Sequence, residues 1–83
     1  MSNDIAARVR KVTAALLNVE ESKIEDASRF VEDLGAASIQ SIELVAAFEG
    51  EFDIEMDEDE ALAVKTVGDA VTFIGKTIQE QKS

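Results

Sequence analysis

The chain contains no cysteine, histidine, proline, tryptophan or tyrosine. Without cysteine, neither a disulfide framework nor a thiolate metal site is available. Without histidine or cysteine a serine nucleophile lacks its usual base, and neither Lys23 nor Lys65 stands in a recognisable relation to Ser38. Positive charge is scarce as well: 8 basic residues face 18 acidic ones, for a formal net charge of −10, and none falls between Arg29 and Lys65. That balance disfavours nucleic acid or an anionic membrane as partner and favours a basic protein. No long apolar run and no signal-peptide pattern occur, so the expectation is a cytoplasmic protein without stable membrane insertion. With 83 residues there is little room for a pocket between paired carboxylates. No catalytic residue is assigned, and the chain reads as something enzymes act upon or dock to.

What is present suffices for folding. Hydrophobic residues make up 46% of the chain, enough for one modest core, expected as a single domain over residues 1–83 and as a monomer. Residues 3–17 place Ile5, Val9, Val12 and Leu16 at intervals of four, three and four, the stripe of an amphipathic helix. Asn3 suits its N-cap and Asp4 its positive end, while Arg8, Arg10 and Lys11 lie off the stripe on a solvated basic face. Asn18 terminates it. Residues 18–37 form a long connection that either packs down through Ile24 and Phe30 or contains a short helical turn. Ser22 and Ser28 are each placed to begin a turn, Ser22 having Glu25 at capping-box spacing.

The stretch from Asp53 to Glu60 holds six carboxylates and no base. An EF-hand counted from Asp53 needs glycine sixth and glutamate twelfth, where Glu58 and Val64 stand, so no metal site is assigned. A divalent cation would be held only loosely, as charge relief. Asp57 with Glu60 starts a short third helix through Val64, whose Ala61 and Leu62 close the core. A last helix covers residues 66–79, with Thr66 and Asp69 in capping-box spacing and Val67, Ala70, Val71, Ile74 and Ile78 on its 3.6-residue stripe. Gly68 and Gly75 each lower its propensity by about 1 kcal/mol relative to alanine. The tail from Gln79 to Ser83 is expected to fray.

Residues 38–52 form the second helix and carry two apolar faces. At about 100° per residue, Leu44, Val45, Phe48 and Phe52 share the face assigned to the core. Ile39, Ile42 and Ala46 lie nearly opposite, with Glu43. Unless helix four or the long loop covers Ile39 and Ile42, this second face is exposed and rimmed by Glu43, Glu49 and Gln40, as a partner-docking helix would be. Ahead of it, Glu32 to Ala37 reads as an acidic loop closed by a turn at Gly35. Ser38 therefore sits at or beside a helix N-terminus, where unpaired amides and the helix dipole favour an anion. A hydroxyl there is well placed to carry a phosphodiester.

The run Phe30-Val31-Glu32-Asp33-Leu34-Gly35-Ala36 into Ser38, followed by Glu43-Leu44-Val45, Glu49, Glu51-Phe52-Asp53 and Thr66-Val67, resembles the acyl carrier protein family; the joint spacing carries the resemblance. In that family a serine in Gly-x-Asp-Ser-Leu bears phosphopantetheine. Here Gly35-Ala36-Ala37-Ser38-Ile39 keeps the glycine and serine, with Ala37 in place of the aspartate. The resemblance implies an all-α four-helix bundle of acyl-carrier type, with three longer helices, a short third helix and a long first loop. It implies 4'-phosphopantetheine covalently attached to Ser38, its thiol holding acyl groups as thioesters, so the missing cysteine is no obstacle. Partners would be a phosphopantetheinyl transferase (carrier synthase) and acyl-synthesis or acyltransferase enzymes whose basic docking patches meet Glu43 and Glu49, beside the apolar partner-binding residues Ile39, Ile42 and Ala46. The acyl chain would be sequestered around Phe48, Leu62 and Ile74. Ala37 and Gln40 remove two charges beside the attachment site, and Met56-Asp57 lacks the family's frequent proline. These departures point to a carrier with its own partner set, serving fatty acid or lipid synthesis or a specialised acyl pathway of lipopolysaccharide type. Alternatives are a polyketide or aminoacyl (peptidyl) carrier and, from another class, an unmodified acidic helical adaptor docking through Ile39, Ile42 and Ala46.

Overall fold

Helix α1, Asn3–Leu17, forms where the apolar stripe predicts it. The computed structural model describes residues 3–82, with side chains from Ile5 onward, so the caps expected from Asn3 and Asp4 lie outside the described side chains. Val9 is fully buried, and Ile5, Val12 and Leu16 pack around it. Asn18 ends the helix in the left-handed region at φ 57, and the Val19 N–H donates to Ala14 O at 3.1 Å. Asparagine tolerates this conformation better than most residues, and the bond closes a carbonyl the helix end would leave open.

The connection that follows holds a single 3-10 turn, Glu21–Lys23, and is anchored by buried Ile24 and Phe30 as expected. The two serines behave differently from expectation. Ser22 lies inside the 3-10 turn and does not cap it, whereas Ser28 closes a turn, its Oγ accepting from the Glu25 N–H at 2.9 Å. The loop is then sewn to a distant segment. The Phe30 N–H donates to Lys65 O at 3.0 Å, the Val67 N–H to Ser28 O at 2.9 Å and the Gly68 N–H to Asp26 O at 2.8 Å, around an isolated antiparallel bridge between Arg29 and Thr66. A Cβ at position 68 would stand 3.0 Å from that Asp26 oxygen, so Gly68 is set by close approach as well as tolerated by the helix.

Helix α2, Ser38–Phe52, has the expected bounds and buries Leu44, Phe48 and Phe52. Its end repeats the device seen after α1: Asp53 sits at φ 54 and the Ile54 N–H donates to Glu49 O at 3.2 Å. Arg8 is not idle on a solvated face. Its Nε donates to Glu51 Oε2 at 2.7 Å, its Nη2 donates to Glu51 O, and its guanidinium carbon lies 4.4 Å from the centre of the Phe52 ring. A cation thus meets the negative end of α2 and stacks on its last aromatic.

Helix α3, Glu58–Ala63, is capped by Asp57, whose Oδ1 accepts from the Glu60 N–H at 3.1 Å, and buries Ala61. Helix α4, Val67–Lys82, starts on Thr66, whose Oγ1 accepts from the Asp69 N–H at 3.1 Å. It continues as regular helix beyond Gln79 to Lys82, into the tail expected to fray. The Gln81 side chain accepts from the Glu55 N–H at 3.0 Å and donates to Glu55 O at 2.7 Å, while Lys82 Nζ reaches Asp53 Oδ2 at 3.3 Å. One amide side chain satisfies both backbone groups that the extended segment leaves open.

Among the described residues there are four α-helices and no strand, the all-α bundle that was expected. Helix α1 packs on both α2 and α4, and α3 rests on α2. Val9, Val67 and Ile74 are fully buried at the centre. Thr13 is buried with them, and its Oγ1 has no partner among the described residues.

Candidate functional site

The loop ahead of α2 is built to present that helix's first residue. The Arg29 N–H donates to Asp33 Oδ2 at 2.8 Å, and the Arg29 guanidinium grips the same carboxylate at 3.2 and 3.3 Å. The Arg29 side chain and backbone N–H hold the Asp33 carboxyl below its ordinary pKa, and Asp33 in turn raises that of Arg29. Gly35 turns the chain at φ 75, where L side chains are strained, and the Ala36 N–H closes back on Phe30 O at 2.8 Å. Buried Ala36 then fixes Ala37 in extended conformation as the N-cap of α2.

Alanine offers no acceptor, so only the reciprocal half of a capping box forms: Gln40 Oε1 accepts from the Ala37 N–H at 2.9 Å. No acidic residue stands in the first turn. Ser38 is the first residue of the helix and is exposed. The positive end of α2 therefore has amides unclaimed by any side-chain cap and a solvent-facing hydroxyl beside them. Asp33, in the loop just ahead of this end, is turned to Arg29 instead. An ester phosphate on Ser38 Oγ fits these residues: the hydroxyl is accessible, and the amides favour the anion.

One turn further in, Ser41 is half-buried and its Oγ donates to Ala37 O at a long 3.4 Å. It lines a cleft of about 100 Å³ between α2, α3 and α4. The walls are Leu44, Val45 and Phe48 of α2, Ala61 and Leu62 of α3, Ala70 and Phe73 of α4, with Phe30, Val31, Met56 and Val64 completing them; Ser41, Glu32 and Lys65 are the polar side chains of the lining.

A family model described as "Phosphopantetheine attachment site" matches residues 7–74, most of the chain, including the loop, Ser38 and the cleft. The chain belongs to the phosphopantetheine-binding carrier family. A solved structure described as "Mupirocin didomain ACP" shares the fold, with a TM-score of 0.79 at 20% sequence identity. The match covers 100% of this chain and 45% of that one, so the carrier spans less than half of that protein's length. Carriers of this family bear covalently attached 4'-phosphopantetheine, are loaded by a phosphopantetheinyl transferase and work with synthase enzymes; they are not themselves catalysts.

Within the carrier, the residues expected to form the acyl pocket divide. Phe48 and Leu62 line the cleft, but Ile74 does not: it is fully buried in the main core. Phe73 faces the cleft in its place, because one step along α4 turns the side chain by about 100°. Nothing in the stripe of α4 singled out Phe73; its signal was an aromatic standing one position off the core face.

The docking residues divide as well. Ile39 is 66% exposed and Ile42 46%, and Ala46 and Glu43 are exposed beside them, so neither the loop nor α4 covers this face. Glu49 departs from the expected solvent rim. It is half-buried, and its Oε2 accepts from the Met56 N–H at 2.8 Å, tying α2 to the acidic segment. Among the described residues no helix is long and apolar enough to cross a membrane, and no cluster of metal-ligating side chains is found.

Proposed function

We propose that this chain is an acyl carrier whose prosthetic group is attached to Ser38 and whose apolar cleft shelters the acyl group, in fatty acid or lipid synthesis or in a specialised acyl pathway of lipopolysaccharide type. The observation that carries the reading is the open N-terminus of α2: an exposed serine hydroxyl, first-turn amides without a side-chain cap, and a cleft beginning one turn away. The attached arm supplies a thiol on which acyl groups are held as thioesters. The chain's own residues do the rest. Amides at the start of α2 hold the phosphate charge, and Phe48, Leu62 and Phe73 keep water from an apolar chain.

Ile39, Ile42 and Ala46 offer an apolar contact, and Glu43 adds a charge that steers a basic partner. Glu49 instead holds the segment after α2 through the Met56 N–H. The predominantly apolar lining supports an acyl cargo over an aminoacyl one, which would need polar partners along the walls. The carrier works as a monomer in the cytoplasm. An unmodified adaptor would use the same exposed face and never gain an arm.

Incubation with coenzyme A and carrier synthases tests the reading by intact mass. The expected outcome is a single phosphopantetheine arm, lost in Ser38→Ala and retained in Ser41→Ala. An arm on Ser41, or no arm with several synthases, overturns it.

A further inference from the structure

The polar side chains of the cleft are unequal. Glu32 and Lys65 are exposed, long and free to leave the lining, and Glu32 lies 4.0 Å from Arg29. Ser41 is short, half-buried and carried on a helix, so it stays in the lining. Its partner, Ala37 O, is 3.4 Å away, well beyond the usual 2.7–2.8 Å of an O–H···O bond. Along α2 the lining runs from Ser41 to Leu44 and Phe48, polar first and then apolar over two turns. Of the residues lining the cleft, Ser41 stands nearest to Ser38 along the chain.

We propose that Ser41 is a specificity-determining residue, favouring an acyl group that carries a hydroxyl near its thioester end over the saturated acyl group of the same length. The inference rests on the reading of Ser38 as the attachment residue. A saturated chain covers the Ser41 hydroxyl with carbon and leaves it only its long bond to Ala37 O. A hydroxylated chain can donate to Ser41 Oγ while Ser41 goes on donating to Ala37 O, since a hydroxyl both donates and accepts. A keto oxygen has no proton to give and is served only if Ser41 abandons Ala37 O. The order of preference is therefore hydroxyl, then keto, then saturated.

The test uses the full chain loaded by a carrier synthase with coenzyme A analogues bearing amide-linked octanoyl or 3-hydroxyoctanoyl groups, which do not hydrolyse. Intact mass and peptide mapping first establish loading on Ser38; failure of both analogues and of coenzyme A itself to load there overturns the attachment reading and this inference with it. Thermal melting is then compared between the two cargoes within each variant. The 3-hydroxyoctanoyl form should melt higher by roughly 4 °C, the shift that about one net hydrogen bond gives a domain of this size. Ser41→Ala should abolish the difference, Ser41→Thr should keep it, and Lys65→Met and Glu32→Gln should leave it unchanged. Equal melting of the two loaded forms, or a difference that survives Ser41→Ala or vanishes with Lys65→Met, overturns the role of Ser41 while leaving Ser38 in place.

Discussion

Helix α2 begins differently from the two helices after it. Asp57 caps α3, and Glu58, Asp59 and Glu60 crowd its first turn; Thr66 caps α4, with Asp69 in its first turn. Helix α2 has alanine at the cap and no acid in its first turn. A chain with 18 acidic residues has not placed one where the dipole of its second helix would welcome it. The two structural helices are closed off at their positive ends. The one that presents Ser38 is left open, and the stability a cap would add is forgone where an anion can take its place.

The largest effect expected of this contrast is at a filled cap. Asp57→Ala should lower stability by about 1–2 kcal/mol and the melting temperature by roughly 4–8 °C or more, measured by chemical and thermal denaturation. A neutral result would mean that α3 does not depend on its cap and that the contrast has no energetic content. Next comes the reverse experiment at the open end. Ala37→Asp should raise stability by about 1 kcal/mol, since Ala37 already has the extended backbone of a cap and lacks only the acceptor. The same carboxylate should speed modification by a general carrier synthase. A stability gain without a rate gain confines Ala37 to the helix, and the case for a dedicated partner set weakens.

Smaller again is Gln40→Ala, which removes the acceptor for the Ala37 N–H and should cost about 0.5 kcal/mol, in keeping with an exposed hydrogen bond. A loss as large as that at Asp57 would show that the half-formed box is already a full cap. The smallest effect concerns Asp33. Its folded pKa is lowered by Arg29, so the stability it adds is present above the ordinary aspartate value of about 3.9 and is lost as pH falls through the lowered one. Asp33→Asn should lower stability slightly at neutral pH, leave it unchanged below the lowered pKa, and so flatten that part of an acid titration. An unaltered titration would mean that the Arg29 pair does not hold the loop in front of Ser38.

How far the sequence revealed this arrangement depended on the range of the interaction. Helix bounds at residues 3–17 and 38–52 were legible because Asn18, the 3.6-residue stripes and the turn at Gly35 are local signals. The exposure of Ile39 and Ile42 was half legible: the two apolar faces of α2 show in the pattern, but only tertiary packing decides which is covered. Phe73 was hidden because a stripe names the centre of a face and not its edge, where the cleft lies. Glu49 looked like a surface charge because its partner is the backbone N–H of Met56, which no side-chain pattern advertises. Gln81 was read as a fraying end for the same reason, its partners being the backbone of Glu55, far away in sequence. Gly68 looked like a lapse in helix propensity, whereas a Cβ there would press on the carbonyl of Asp26 at 3.0 Å.

The seam that joins residues 26–30 to residues 65–68 has a kinetic meaning. Up-and-down helical bundles fold fast because their contacts are local, whereas the bonds from Phe30, Val67 and Gly68 join groups about forty positions apart. Loop closure on that scale must come before those bonds give anything back, so the seam cannot precede the local turns of the helices around it. The segment that positions Ser38 hangs from it. A chain in which the helices have formed but the seam has not would carry its serine on an unanchored loop, and an enzyme that reads the start of α2 would meet a finished fold only after that closure.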